Sequence, residues 1–379
     1  MAEDRMTRRQ FVRDAAAGAA VLAASVSLPH IVKVGNAEQT DTGQILSYNP
    51  DMEYRPCGKT GWMVSAVCLG GHWKRVNLMA PNAYEGDGWL SANLNDPEFQ
   101  KNRCDVVTRC IERGINYVDA CTGAEIQAYS KALEGRRGQM YLGWSWYERE
   151  ARNPDQCTGD ALMKVFEDSL KVCNQEYVDL YRIVCGVDGH RDEDGTWVYP
   201  HTEAESVGIA EGLRRAKKSG KARATGISSH DLPWLKYMME TFPDVIDVVI
   251  TPYTAKTKML PNDETGFYAA VKKCNCGFFG IKPFASNALF LGDSAPGNPH
   301  EEEDCRLARL AIRYILCNPA ITAPIPGMIN VQQVDNVALA VKERRVLDVE
   351  ERAELDRAMD RAWANLPSHY QWLKNWEYV

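Results

Sequence analysis

Three patterns are missing from these 379 residues, and each absence removes a class of protein. No apolar run reaches the ~20 residues that a membrane-spanning helix needs, so stable membrane insertion is not expected. No two cysteines are spaced C-x-x-C, and the close pair Cys274 and Cys276 is too sparse for a metal centre. No G-x-G-x-x-G follows a strand-like run, which argues against a doubly wound dinucleotide-binding sheet. Positive charge is in deficit as well, with 44 Lys/Arg against 51 Asp/Glu. An acidic chain has no general attraction to phosphate backbones, so no nucleic-acid partner is expected.

What is present begins with residues 1–37, which have the form of a twin-arginine export signal. Arg8 and Arg9 stand just before Phe11 and Val12, an uncharged, Ala-rich run extends from Ala15 to Leu28, and Gly35-Asn36-Ala37 offers small residues for cleavage. The expectation is a periplasmic or otherwise exported protein, carried folded by the twin-arginine translocase as a transient partner. Cleavage would remove five Lys/Arg and three Asp/Glu, leaving 39 cationic against 48 acidic residues, a net charge of −9. Twelve cysteines in an exported chain invite disulfides, yet most lie in apolar segments where a thiol packs as a small hydrophobe. Mostly reduced, buried thiols are expected.

From Glu53 onward short β-branched or aromatic runs alternate with amphipathic segments. Strand-like runs are Ser65–Leu69, Ile115–Asp119, Met140–Trp144, Val178–Val184, Arg223–Ile227, Val245–Ile250, Phe278–Lys282 and Ile321–Ile325. Between them apolar residues recur at three- and four-residue spacing, as in Leu162, Val165, Phe166, Ser169 and Leu170. Eight such alternations predict an α/β fold, a (β/α)8 (TIM) barrel. The expected organisation is a signal over 1–37, a linker over 38–51 and the barrel over 52–347. A C-terminal helix and an aromatic tail occupy 348–379, the helix starting at a capping box of Asp348 and Glu351. Insertions at 72–100 and 185–203 should emerge at the C-terminal face of the strands, where barrel enzymes build their sites.

Within this pattern specific words appear. Met52-Glu53-Tyr54-Arg55, Gly58-Lys59-Thr60-Gly61 and Leu69-Gly70-Gly71 open the series, and Ile115-Asn116-Tyr117-Val118-Asp119 and Tyr177-Val178-Asp179-Leu180-Tyr181 follow. Gly226-Ile227-Ser228-Ser229-His230, Lys282-Pro283-Phe284 and Ile325-Pro326-Gly327-Met328 complete it. In this order the segments resemble the aldo/keto reductase family over roughly residues 52–345. The resemblance implies a bottom-closing N-terminal β-hairpin, a bound NADP or NAD, and hydride transfer to a carbonyl in a small-molecule substrate. Cofactor contacts are then expected from Gly70, Ser228, Ser229, Tyr253, Lys282, Pro283 and Gly327. Gln332, Asp335 and Asn336 are expected to face the adenine.

The family's catalytic tetrad of Asp, Tyr, Lys and His transfers poorly. Asp119 matches the Asp. The loop Cys121-Thr122-Gly123-Ala124-Glu125 carries no Tyr, Ser145 stands at the Lys position and Val184 at the His position. Reduction through these four positions lacks its proton donor. Asp119 is therefore the expected base or orienter, with Glu125, Tyr147 and His72 as further candidates and Glu148 beside them. The expected function is that of a divergent oxidoreductase using non-standard residues on a carbonyl or sugar-like substrate. Two other readings stay open on the same scaffold. One is a non-catalytic barrel that binds a sugar-like or aromatic ligand through Trp73, Trp89, Trp144, Trp146 and Tyr147. The other is a metal-dependent hydrolase or lyase built from His72, His190 or His230 with Asp119 or a cysteine; no ligand spacing defines a metal site.

Overall fold

The computed structural model describes residues 42–85, 91–186, 190–191, 197–260 and 264–376. The export signal, Trp89 and the side chain of His190 lie outside what is described.

Each strand-like run overlaps a barrel strand, though the first, Ser65–Leu69, meets its strand only at Leu69, with Ser65 in the N-terminal hairpin instead. The barrel strands are β3 (Leu69–Gly70), β4 (Tyr117–Ala120), β5 (Tyr141–Trp144), β6 (Val178–Val184), β9 (Ala222–Ser228), β10 (Val248–Pro252), β11 (Gly277–Ile281) and β12 (Ala323–Pro324). Each pairs in parallel with the next, in the order β3-β4-β5-β6-β9-β10-β11-β12. The ring closes where the Cys68 N–H donates to the Pro324 carbonyl at 3.0 Å and the Gly70 N–H to that of Pro326 at 2.8 Å. Closure leaves no open sheet edge to be satisfied by water or another chain.

The amphipathic segments between the strands are helices: α1 (Pro97–Glu112), α2 (Gly123–Ala132), α3 (Gly159–Val172), α4 (Glu203–Lys218), α5 (Leu232–Thr241), α6 (Phe267–Lys273), α7 (Glu301–Leu316) and α8 (Val331–Lys342). Polar side chains fix most of their starts: Asp96, Thr122, Thr158, Thr202, Asp231 and Asn330 each accept a backbone N–H of the first turn. The barrel interior is filled by inward residues of alternate strands, with Tyr117 stacked on Phe279 at 4.5 Å and Trp62 on Tyr141 at 4.7 Å. A second, larger apolar layer lies between strands and helices.

Strands β1 (Tyr54–Pro56) and β2 (Met63–Ser65) form the antiparallel hairpin at the N-terminal end of the barrel. Gly58 bridges it to Cys276 at a positive φ of 52°, and a Cβ there would come within 2.4 Å of the Asn275 carbonyl, so the contact requires glycine. A short antiparallel pair, β7 (His190–Arg191) and β8 (Trp197–Val198), stands in the insertion after β6.

After α8 the Asp348–Glu351 capping box starts α9 (Val349–Ala364), and the tail then turns through a 3-10 segment over Ser368–Asn375. The aromatic tail packs on the barrel mouth. Tyr370, Leu373 and Trp376 are buried, and the Trp376 indole N–H donates to the His230 carbonyl at 2.7 Å. All twelve cysteines are free thiols.

Candidate functional site

The C-terminal ends of the strands converge on a buried ion pair. Asp119 points inward from β4, and Arg182 reaches it from β6 with Nε at 3.2 Å and Nη2 closer still. The Tyr117 hydroxyl donates to the same carboxylate at 2.9 Å. Side-chain exposure is only 6% for Asp119 and 3% for Arg182. Burial pushes the guanidinium's pKa down, but the Asp119 carboxylate outweighs it and holds Arg182 protonated. Sequence reasoning missed Arg182. Its one signal is a lone charge inside the apolar run Leu180-Tyr181-Arg182-Ile183-Val184.

Beside this pair, Thr122 caps α2 and sets Glu125 in its first turn. Glu125 is buried and accepts the N–H of Cys121 at 2.7 Å, the backbone N–H of His72 and the His72 ring Nδ1 at 2.8 Å. Burial raises its pKa, yet the His72 imidazole and the backbone donors overcome this, so the carboxyl sits below its ordinary value. His72 itself is held at a φ of +56°, and a Cβ on the preceding Gly71 would strike Glu125. Such left-handed backbone at a non-glycine residue costs energy and concentrates at functional sites.

The Cys121 sulfur lies 3.6 Å from both His72 ring nitrogens. These three side chains are close enough to share an ion. As arranged, however, the carboxylate is occupied by three donors, and burial followed by the Glu125 charge pushes the Cys121 thiol well up. The three side chains form a hydrogen-bonded His–Glu pair with the Cys121 thiol beside it.

A cavity of about 730 Å³ runs from these groups across the barrel mouth. Asp119, Glu125, Tyr147 and His72 all line it, together with Gly70, Ser228, Ser229, Lys282, Pro283, Gly327, Gln332 and Asn336. Two expected cofactor residues are placed elsewhere. Tyr253 follows β10 with its ring turned into the strand–helix layer, where its hydroxyl accepts from Asn318 at 3.0 Å. Asp335 lies on the outer side of α8 and pairs with Arg113 at 2.6 Å. Ser229 lines the cavity, but its hydroxyl donates to the Gly186 carbonyl at 2.6 Å, which holds the loop after β6. Glu148 receives the Gly123 N–H at 3.2 Å and stands behind the lining.

The position where the family's Lys was sought is filled by a different polar set. The buried Ser145 hydroxyl donates to Glu150, and the Tyr181 hydroxyl donates to the same carboxylate at 3.0 Å. Of the expected aromatic platform, Tyr147 lines the cavity, Trp89 lies outside the described residues, and the other three tryptophans are placed elsewhere. Trp73 and Trp144 are fully buried, while Trp146 lies under Arg149. Beside Tyr147, aromatic lining comes from Phe284, Phe290, Tyr370 and Trp372. Trp372 stacks on His230 at 4.1 Å with the rings 16° from parallel.

Comparison with known proteins agrees with this architecture. The family model described as "Aldo/keto reductase family" matches residues 88–360. Among solved structures, an aldo-keto reductase of Bacillus halodurans in its holo form is 19% identical, with a TM-score of 0.56, over 84% of this chain and 99% of that one. An aldo/keto reductase of Klebsiella pneumoniae in complex with NADP and acetate is 15% identical, TM-score 0.56, over 80% and 94%. One from Bombyx mori in complex with NADP is 17% identical, TM-score 0.52, over 80% and 92%.

Proposed function

We infer that this chain, which belongs to the aldo/keto reductase family, is an oxidoreductase that binds NADP or NAD along its cavity. Its substrate on this reading is a carbonyl or sugar-like small molecule, and it works through residues other than the family's usual four. The observation that carries this is the cavity's lining. It includes the cations Lys282 and Arg75, together with Gly327 and, from the first turns of α8, Gln332 and Asn336. Cations and free helix N–H groups are the chemistry a pyrophosphate requires. The buried Asp119–Arg182 pair and the Glu125–His72 pair line the same cavity, in which a bound nicotinamide would supply hydride.

The protein's own residues then divide the work. Gly327 keeps its loop close to the loop after β3, since a Cβ there would lie 2.6 Å from the Gly71 carbonyl. Asp119 has each oxygen engaged, so it orients Arg182 and Tyr117 and is not available as a base. By resemblance, Ser229 and Ile250 stand where the family offers amides to the nicotinamide; Ile250 fills the barrel interior, and the Ser229 hydroxyl is engaged by the Gly186 carbonyl.

Titration of the purified protein with NADPH and with NADH, followed by quenching of tryptophan fluorescence, tests the reading. Saturable binding of at least one is expected. Lys282→Ala should weaken it about tenfold or more, the ~1.5–3 kcal/mol of a hydrogen bond to a charged group. Binding of neither dinucleotide would sink the proposal.

The export reading rests on Arg8 and Arg9 ahead of the Ala-rich run. Changing both to Lys should leave the protein uncleaved in the cytoplasm. Undiminished delivery to the periplasm on cell fractionation would refute the twin-arginine route.

A further inference from the structure

Lys282 begins an unusual loop. Lys282, Ala285, Ser286 and Asn287 all take positive φ angles, of 59°, 48°, 58° and 68°. None is glycine, so the backbone after β11 holds four unfavourable conformations within six residues. The tail covers this loop: Leu366, Tyr370 and Leu373 pack with Ala285 in one small buried cluster. The result is a phenol ring with two amines close to it. The Lys74 Nζ lies 4.9 Å from the Tyr370 ring centroid and the Lys282 Nζ 5.6 Å from it. Lys74 also donates to the Ser286 hydroxyl at 3.1 Å, and both residues line the cavity together with Tyr370. Tyr370 is only 8% exposed, and it lines the cavity.

We propose that Tyr370, close to Lys74, Lys282 and Ser286, is the proton donor for carbonyl reduction in this cavity, supplied by the C-terminal tail and not by a barrel strand.

This rests on the nicotinamide reading given above. As hydride from the reduced dinucleotide bonds to the carbonyl carbon, the C=O π pair moves onto oxygen. The phenolic O–H of Tyr370 breaks and its proton forms the hydroxyl of the product alcohol. The phenolate left behind is held by the two ammonium groups and regains a proton from water. In the reverse direction the phenolate removes the alcohol proton as hydride leaves.

Acidity agrees with the geometry. Burial raises the Tyr370 phenol, but Lys282 first and then Lys74 and Ser286 outweigh it, so the phenol lies below its ordinary value. Burial pushes Tyr54, Tyr117, Tyr129, Tyr181 and Tyr253 the other way. The remaining titratable neighbour is His369 on the tail itself, edge-on to the phenol at 4.9 Å. A donor tuned toward neutrality is what a general acid needs.

Three measurements on the full chain test the assignment: tyrosinate ultraviolet titration, NADPH binding by fluorescence, and NADPH-dependent reduction of benzaldehyde. One phenol of the wild type should ionise below the ~10 of free tyrosine. That component should vanish in Tyr370→Phe and move upward in Lys74→Met. Tyr370→Phe keeps the buried ring, so it should still fold and bind NADPH, while kcat falls about 10²–10⁴-fold. The basic limb of the wild-type pH–rate profile should follow the titrating phenol and shift upward with it in Lys74→Met. Tyrosines that all ionise at or above the ordinary value, or a Tyr370→Phe enzyme as fast as wild type, overturn the assignment. So does a wild type that binds NADPH and leaves benzaldehyde unreduced. A wild type with the depressed phenol but no dinucleotide binding overturns the cofactor reading instead.

Discussion

Replacing Asp119 with Ala is expected to destabilise the protein by about 3–5 kcal/mol, the usual cost of stranding one member of a buried ion pair. The loss comes mainly from Arg182. Its side chain is 3% exposed, and without Asp119 its guanidinium keeps, among the described residues, only the Ala120 carbonyl as an acceptor, 3.3 Å from Nη2. The Tyr117 hydroxyl loses its acceptor at the same time. Asp119→Leu combined with Arg182→Met should recover most of the loss, because apolar residues of similar volume carry no desolvation penalty. Urea unfolding followed by circular dichroism measures both. A single variant within ~1 kcal/mol of wild type would show that water reaches the pair and that its charges are screened. The outcome bears on chemistry as well. A carboxylate that accepts from Tyr117 and twice from Arg182 is a strut for the site's charge, and its removal should lower activity through misplacement of neighbours.

The fold was legible because its signals are local. Each barrel strand is a short apolar run and each helix an amphipathic stretch, and Asp348 with Glu351 announced the last helix from four residues. The site was legible only where it sits at a strand end or in the loop that follows. Asp119, Ser228 and Lys282 could be placed by counting along strands, and His72 and Glu125 by the loops after them. Arg182 was hidden because one charge in an apolar strand reads as an interruption until its partner two strands away is seen. Tyr253 went astray because the residue after β10 turns outward in the pleat, as the alternation of side chains dictates. On α8 the lining stripe is Gln332, Gln333, Asn336 and Val337, which leaves Asp335 beside it and facing Arg113. No spacing in the sequence could join Tyr370 to Lys74 and Ser286, which come from three separate loops.

Stability should fall by roughly 3 kcal/mol as the pH drops from neutrality to about 4, and His201 is the principal cause. Its ring is buried beside Trp234, where Nε2 accepts the Gly186 N–H at 2.7 Å. Burial lowers its pKa to about 4; Glu205, 3.8 Å from Nδ1, only partly opposes this, and Arg152 reinforces it. In the unfolded chain the same imidazole titrates near ~6.5. Between those two values the unfolded state binds a proton that the folded state refuses, so folding stability is full above pH ~6.5 and is lost on acidification toward 4. A shift of about 2.5 units at ~1.36 kcal/mol each sets the size. His230, stacked on Trp372 and pushed well down by burial and then by Lys282, adds loss of the same sign. Carboxylates such as Glu125, held below their ordinary value, act in a lower window, because their stabilisation disappears only below pH ~4.5. His201→Gln keeps an acceptor for the Gly186 N–H and cannot take up a proton. Its unfolding free energy, measured in urea from pH 7 to 4, should therefore slope less steeply than that of wild type, with a residual slope from His230. Equal slopes in the two proteins would mean that His201 protonates in place, by swinging its Nδ1 toward Glu205, and that the burial argument fails.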